Sequence, residues 1–216
     1  MIDPQRIRTA AAALDLDVSE AQAQQLSDFA ALLLRWNAVY NLTAIRDEDP
    51  VLSHHLLDCL AVVPQIDRIS EGRAIRILDV GSGGGLPAVP LAIALPHVRV
   101  VSLDAVQKKC AFVQQAKGQL RLENLDVVHA RAEAWRSPER FDVVVSRAFA
   151  TLADFIRVSR HLLASHGIWA AMKGTLPEAE LRELPHDVRV VGTVKLRVPL
   201  LDEQRHLILL APAAAD

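Results

Sequence analysis

A chain of 216 residues with 24 lysines and arginines against 26 aspartates and glutamates, 51% of it apolar, is long enough to bury a full core and too apolar to be disordered. Its formal net charge of −2 excludes a protein that holds nucleic acid through overall charge, so any basic surface has to be local. No apolar run reaches the roughly 18 residues that a membrane span needs, Met1-Ile-Asp-Pro-Gln-Arg6 lacks a signal-peptide core, and two cysteines, Cys59 and Cys110, build no disulfide framework. The expectation is a cytoplasmic chain with two buried thiols.

Three helices are predicted ahead of the first strand. The second opens on Ser19-Glu-Ala-Gln22, a capping box, and carries Leu26, Phe29, Ala30, Leu33 and Trp36 on one face. The third is placed from Asp49-Pro50, with Asp49 as N-cap and proline in the first turn, and its apolar stripe is Leu52, Leu56, Cys59, Leu60 and Val63. A short β-branched strand ending at Asp79 follows. Elements then alternate: helix 87–95, strand 98–103, helix 106–119, strand 125–129, strand 141–145, helix 152–163, strand 168–172. Alternation of this kind predicts an α/β protein with a mainly parallel sheet and helices on both faces. Asp187–Arg197 and Arg205–Leu210 read as an antiparallel pair at the sheet edge, which completes a mainly parallel seven-stranded sheet. Residues 1–72 are expected to form a helical extension packed on a core of residues 73–212, and 213–216 a frayed tail.

Chemistry concentrates at Ile77-Leu-Asp-Val-Gly-Ser-Gly-Gly-Gly-Leu-Pro87. A strand, a Gly-x-Gly-x-Gly turn and a helix in that order present a nucleotide-like ligand at the carboxyl end of the first strand. Asp104 follows Gly81 by 23 positions and closes the next strand, where a carboxylate about 20 residues past the first glycine meets ribose hydroxyls. Two ligands offer such a ribose, NAD and S-adenosylmethionine. No Gly-Lys-Ser/Thr follows the glycines, which argues against a phosphate loop. Leu86 occupies the place of the third dinucleotide glycine, and Asp79 stands where a carboxylate meets a cationic methionine end. Both features favour S-adenosylmethionine. An NAD-dependent oxidoreductase would instead bind NADH.

Six blocks carry a closer resemblance: Arg35-Trp-Asn-Ala-Val-Tyr-Asn-Leu-Thr43, His54-His-Leu-Leu-Asp58, Asp79–Pro87, Ser146-Arg-Ala-Phe-Ala150, Met172-Lys-Gly174 and Arg205-His-Leu207. In this order, from about Leu26 to Leu210, the chain resembles the RsmG (GidB) family of bacterial 16S rRNA guanine-N7 methyltransferases. Gly84 stands where the family often has proline and Ala88 where it often has glycine. The resemblance implies a Rossmann-like class I methyltransferase fold and S-adenosylmethionine as cofactor. Its implied partner is 16S rRNA, as the 30S subunit or an assembly intermediate, with the protein a monomer. The target it implies is one guanine of the decoding-region loop. Carried over residue by residue, Gly81, Gly83 and Leu86 become cofactor-loop positions and Asp104 the ribose acid. Ala132 and Glu133 lie against adenine, and Arg147 reaches the cofactor side of the pocket and aligns substrate. Asp79 either touches the cofactor or orients the loop. Lys173, Arg205 and His206 are RNA-binding candidates on this reading.

Guanine N7 holds an unprotonated lone pair at neutral pH, so transfer to it requires alignment and no general base. The chain accords with this. Ser146-Arg-Ala-Phe149 replaces the Asn/Asp-Pro-Pro-Tyr/Phe of exocyclic-amine methylases, and Cys59 and Cys110 lie in helix patterns away from strand tips, which leaves no nucleophile for carbon-5 chemistry. Adjacent His54 and His55 point different ways on a helix, so no metal site is expected. Phe149 is either a base-stacking ring or a core residue. Arg121, Arg131, Arg136, Arg140, Lys195 and Arg197 are further candidates for a basic surface. The competing readings are a methylase of another RNA or small molecule, and a non-catalytic RNA-binding module that binds cofactor without turnover.

Overall fold

The first strand of the sheet, β1 (Arg76–Val80), lies at its centre, between β2 (Arg99–Asp104) and β4 (Phe141–Ser146). A computed structural model describes residues 1–147 and 149–213. β3 (Leu125–His129), β5 (Leu163–Lys173), β6 (Val188–Leu196) and β7 (Arg205–Pro212) complete a seven-stranded sheet of order β3-β2-β1-β4-β5-β7-β6. Pairings from β3 to β5 are parallel, and β7 runs antiparallel to both β5 and β6. This is the predicted α/β sheet with its antiparallel edge. Residues 77–80 and 143–146 are buried without alternation, as strands covered on both faces must be.

One face packs against α6 (Ala88–Ala94), α7 (Gln107–Leu120) and the N-terminal helices, whose Ile7, Leu26, Phe29 and Leu33 share a single apolar core with Ile77, Val89 and Val143. The opposite face packs against α8 (Leu152–Ser159) around Trp169, Phe155 and Leu78. α1 (Pro4–Ala12) and α2 (Glu20–Tyr40) open the chain. The foreseen capping box is present: Gln22 N donates to Ser19 Oγ at 3.2 Å and Ser19 N to Gln22 Oε1 at 3.0 Å. The Gln22 side-chain amide also donates to the Ile93 carbonyl at 2.8 Å, which ties the start of α2 to α6. Among the described residues, no helix is long and apolar enough to cross a membrane.

Several boundaries differ from expectation. The third helix has Asp47, not Asp49, at its N-cap position and begins as α3 (Glu48–Val51). Proline fits anywhere in a first turn, where amides are unpaired, so its position could not choose between the two aspartates. The helix then widens into a π turn, Leu52–Leu57, and resumes as α4 (Asp58–Leu60). A further helix, α5 (Val63–Ser70), starts at Val63, where the apolar stripe was expected to end, with Pro64 in its first turn. α8 stops at Ser159, and β5 begins at Leu163 instead of 168, because the apolar residues there suit helix and strand equally. The short α9 (Glu178–Arg182) was not foreseen and buries no residue. Ala213, expected to fray, donates its amide to the Asp187 carbonyl at 2.8 Å; the rest of that tail lies outside the described residues.

Candidate active site

The β1–α6 loop turns over the carboxyl end of β2. Amides of Gly81 and Ser82 both donate to the Leu103 carbonyl, at 2.9 and 3.1 Å, and Gly81 holds φ +72°, a conformation open to glycine. Asp104 ends β2 and is clamped from two sides: Gly83 N donates to its Oδ2 and Val106 N to its Oδ1, each at 2.8 Å. Each oxygen keeps a further lone pair. Gly81, Asp104, Ala132, Glu133 and Phe149 line one cavity of about 210 Å³. The structure thus brings four of the sequence-predicted cofactor residues together. Phe149 joins them as part of the wall, and its ring also packs on Phe155 at 5.4 Å between centroids.

The other predicted cofactor residues lie elsewhere. Gly83 meets the cavity only through its amide on Asp104. Asp79 is fully buried under the loop, where Oδ2 accepts from Ala88 N at 3.0 Å. Its Oδ1 has no hydrogen-bond partner among the described residues, and burial pushes its carboxyl up to about 7. This geometry is that of an acid orienting the loop against α6. Leu86 is 4% exposed and packs in the core between sheet and helices.

Arg147 turns away from the Asp104 cavity. Its Nη1 donates to the His54 carbonyl at 3.0 Å and to His55 Nδ1 at 3.3 Å, and lies 3.5 Å from Asp58 Oδ2. It lines a second cavity, of about 410 Å³, with His55, Asp58, Lys173, Arg205 and His206. The three RNA candidates and Arg147 therefore converge, on the far side of the segment that carries Phe149. Cross-strand register explains part of this, since Lys173 on β5 pairs with His206 on β7. Lys173 Nζ sits 3.0 and 3.1 Å from the Glu180 carboxylate and donates to the Phe149 and Ala150 carbonyls, so it pins the dividing segment to the end of β5. His206 Nδ1 lies 2.8 Å from the Gly174 carbonyl.

The π turn supplies the floor of this second cavity. Arg205 Nε donates to Asp58 Oδ1 at 3.1 Å, so one buried carboxylate lies between two arginines. Burial pushes the Asp58 carboxyl up, and the charges of Arg147 and Arg205 pull it back. His55 is held neutral, near 4, by burial and by the Arg147 charge; its Nε2 meets Thr43 Oγ1 at 2.8 Å. In the sequence, Asp58 stands out only as the last residue of the block His54–Asp58, with no role attached. The available signal was an acid set directly between the apolar residues Leu57 and Cys59.

The expected placement of one cysteine is corrected. Cys110 is not remote from strand tips: its Sγ lies 3.4 Å from the Asp104 carbonyl. It remains buried, and burial raises its thiol above the usual range, as it does for Cys59, so neither offers a thiolate nucleophile. The candidates for a basic surface are spread over the molecule. Arg131 lines the Asp104 cavity, whereas the Arg140 carbonyl accepts from Arg76 at the opposite end of β1.

A parallel sheet of this order, with a glycine loop after β1 and an acid closing β2, defines the class I S-adenosylmethionine-dependent methyltransferases. TrmN from Thermus thermophilus matches with a TM-score of 0.57 at 21% identity, over 74% of this chain and 53% of that one. An S-adenosylmethionine-dependent methyltransferase from Aquifex aeolicus matches at 0.55 and 14%, over 76% and 94%. Within the class, the chain belongs to the family described as rRNA small subunit methyltransferase G (GidB), whose model matches residues 22–208. Proteins called Ribosomal RNA small subunit methyltransferase G are 53% identical over 216 residues in Acidovorax ebreus (strain TPSY), covering 96% of this chain and 95% of that one. The one from Burkholderia multivorans (strain ATCC 17616 / 249) is 51% identical over 206 residues, covering 93% and 89%.

The chain is therefore an S-adenosylmethionine-dependent rRNA methyltransferase by family. The Asp104 cavity fits its cofactor on direct grounds. A Cβ added at Gly81 would point at the Phe149 ring, 3.8 Å away, and so intrude between the two walls, and the clamped Asp104 carboxylate keeps lone pairs for hydroxyl donors. Bound there, the cofactor supplies an electrophilic methyl group on a sulfonium.

Proposed function

We propose that this protein methylates N7 of a guanine in the decoding-region loop of 16S rRNA. The observation that carries this reading is the division of the site by a single segment. Phe149 walls the Asp104 cavity, Arg147 walls a cationic cavity beside it, and both follow β4 directly. In this reading Asp104 binds the cofactor's ribose hydroxyls, Ala132 and Glu133 flank its adenine, and Gly81 and Gly83 shape the loop. Asp79 and Leu86 act from beneath, by holding that loop in place. Arg147, Lys173, Arg205 and His206 receive the nucleotide.

The side chains of the second cavity suit an N7 acceptor. The carboxylate that lines it, Asp58, is engaged by two arginines, and N7 transfer requires no base to accept a proton before attack. An arginine that donated to N7 would occupy the lone pair that must attack. Arg147 is accordingly assigned to the O6 edge or a phosphate, where it aligns the base, and alignment alone can supply several kcal/mol. A single-stranded loop delivers such a base without unwinding a helix. The protein acts as a monomer in the cytoplasm, on the 30S subunit or an assembly intermediate.

The test is transfer from labelled S-adenosylmethionine to 30S subunits that lack their own N7 methylation, with naked 16S rRNA alongside and the labelled base identified by digestion. Label on N7 of one decoding-loop guanine supports the reading. Cofactor binding with no label on either RNA overturns it in favour of another substrate or a binding role.

A further inference from the structure

A chain of aromatic rings runs outward from the core, from Phe112 on α7 to Trp36 and Tyr40 at the end of α2. Phe112 is fully buried; Trp36 meets it edge-on at 5.6 Å between centroids; Tyr40 packs on Trp36 at 4.9 Å and is 44% exposed. An exposed ring at the end of such a stack is unusual, because burying it would be favourable and Trp36 already offers the apolar surface. Tyr40 is fixed in place. Asn41 caps α2 in the left-handed conformation at φ +50°, and its amide donates to the Asn37 carbonyl.

Two cations are tethered to this corner. Lys108 Nζ donates to the Tyr40 carbonyl at 3.1 Å, and Arg46 Nη2 donates to Asn41 Oδ1 at 2.8 Å. Arg35, one turn back on α2, is exposed as well. Apolar surface beside them is also uncovered, with Val39 70% and Val106 38% exposed. An exposed aromatic face bordered by fixed cations is the chemistry that holds single-stranded nucleic acid: bases stack on the ring and phosphates meet the cations.

The corner adjoins both cavities. Lys108 lies on the first turn of α7, and Ala105, three residues before it, lines the Asp104 cavity. On the other side, the chain beyond Asn41 reaches Ile45, which lines the Arg147 cavity. Asn37 holds that turn by donating to the Ile45 carbonyl at 2.7 Å and accepting from Thr43 N at 2.8 Å.

We propose that Tyr40 is a stacking platform for a base neighbouring the methylated one, with Lys108 and Arg46 on the adjoining phosphates of a single-stranded RNA. The rRNA reading enters only in naming the strand; stacking on an exposed ring is independent of base identity.

The test compares wild type with Tyr40→Leu and Tyr40→Trp, by fluorescence anisotropy on a labelled single-stranded RNA of about 12 nucleotides, near the span such surfaces cover. Leucine still covers Trp36 but offers no π-face. It should weaken binding roughly tenfold, in the range for losing one stacked base, while tryptophan restores it and cofactor affinity and melting temperature hold. Lys108→Ala should flatten the salt dependence of binding. Three results overturn the proposal: wild type that does not bind the single strand, leucine that binds as wild type does, or equal losses on duplex and single strand. None of these depends on methyl transfer, so the platform and the rRNA reading fail separately.

Discussion

Asp58 and Arg205, 147 residues apart in the chain, meet in a 3.1 Å hydrogen bond from Nε to Oδ1. The acid comes from the helix that follows the π turn and the base from the first residue of β7, and the same carboxylate faces Arg147 from the end of β4. Three distant stretches are thus tied at the floor of the cationic cavity. Removing the carboxylate leaves two guanidiniums facing each other without compensation. Asp58→Asn should lose about 2–3 kcal/mol of stability in urea unfolding, at or just below the usual cost of orphaning a buried charge because the arginines are part-exposed. A loss below about 0.5 kcal/mol, the level of an ordinary surface change, would remove this role.

Asp104 joins two tasks, holding the glycine loop by Gly83 N and presenting oxygens to the cavity. Asp104→Ala should weaken cofactor binding by about 1–3 kcal/mol, the range for a charged acceptor. Titration calorimetry with S-adenosylmethionine checks it, and unchanged affinity would refute the ribose assignment.

Arg147 lines the cavity opposite the one that Asp104 lines. Arg147→Ala should therefore cut kcat for methyl transfer by about tenfold or more, the scale of losing an aligning contact, and leave cofactor affinity close to wild type. Equal losses in both would put the guanidinium back against the cofactor.

Asp79 carries a pH signature. Its folded pKa, about 7, lies above its ordinary value of 3.8, so the folded state holds the proton more tightly than the unfolded chain. Its contribution is fully present below about 4, declines as pH rises, and is gone above about 7. Relative to Asp79→Asn, which keeps the shape and never ionises, wild type should lose on the order of 2–4 kcal/mol between pH 4 and pH 8. Urea midpoints of the two proteins across that range decide it, and parallel curves would mean the carboxyl is not perturbed.

What the sequence conveyed best was whatever neighbouring residues decide together. The capping box at Ser19 and Gln22, the glycine turn and the acid at the end of β2 are local chemistry, and all were found in place. Boundaries failed where the local signal was shared by two outcomes, as at Asp47 against Asp49, or at Leu163 between helix and strand. The candidate site was legible as a set of residues, but not as two cavities. Arg147 and Phe149 occupy one motif, and nothing in their spacing says that they line different chambers.

By itself the sequence determined the sheet, its cofactor end and the family, because hydrophobic period, turn chemistry and motif order are properties of contiguous residues. Only the tertiary structure decided how Lys173 is matched to Glu180, how Asp58 is shared by Arg147 and Arg205, and that the Tyr40 carbonyl meets Lys108, three residues beyond Ala105 in the wall of the Asp104 cavity. Those relationships join side chains from separate elements. Their partners follow from strand register and helix packing, which bring distant positions within a few ångströms and leave no trace in local sequence.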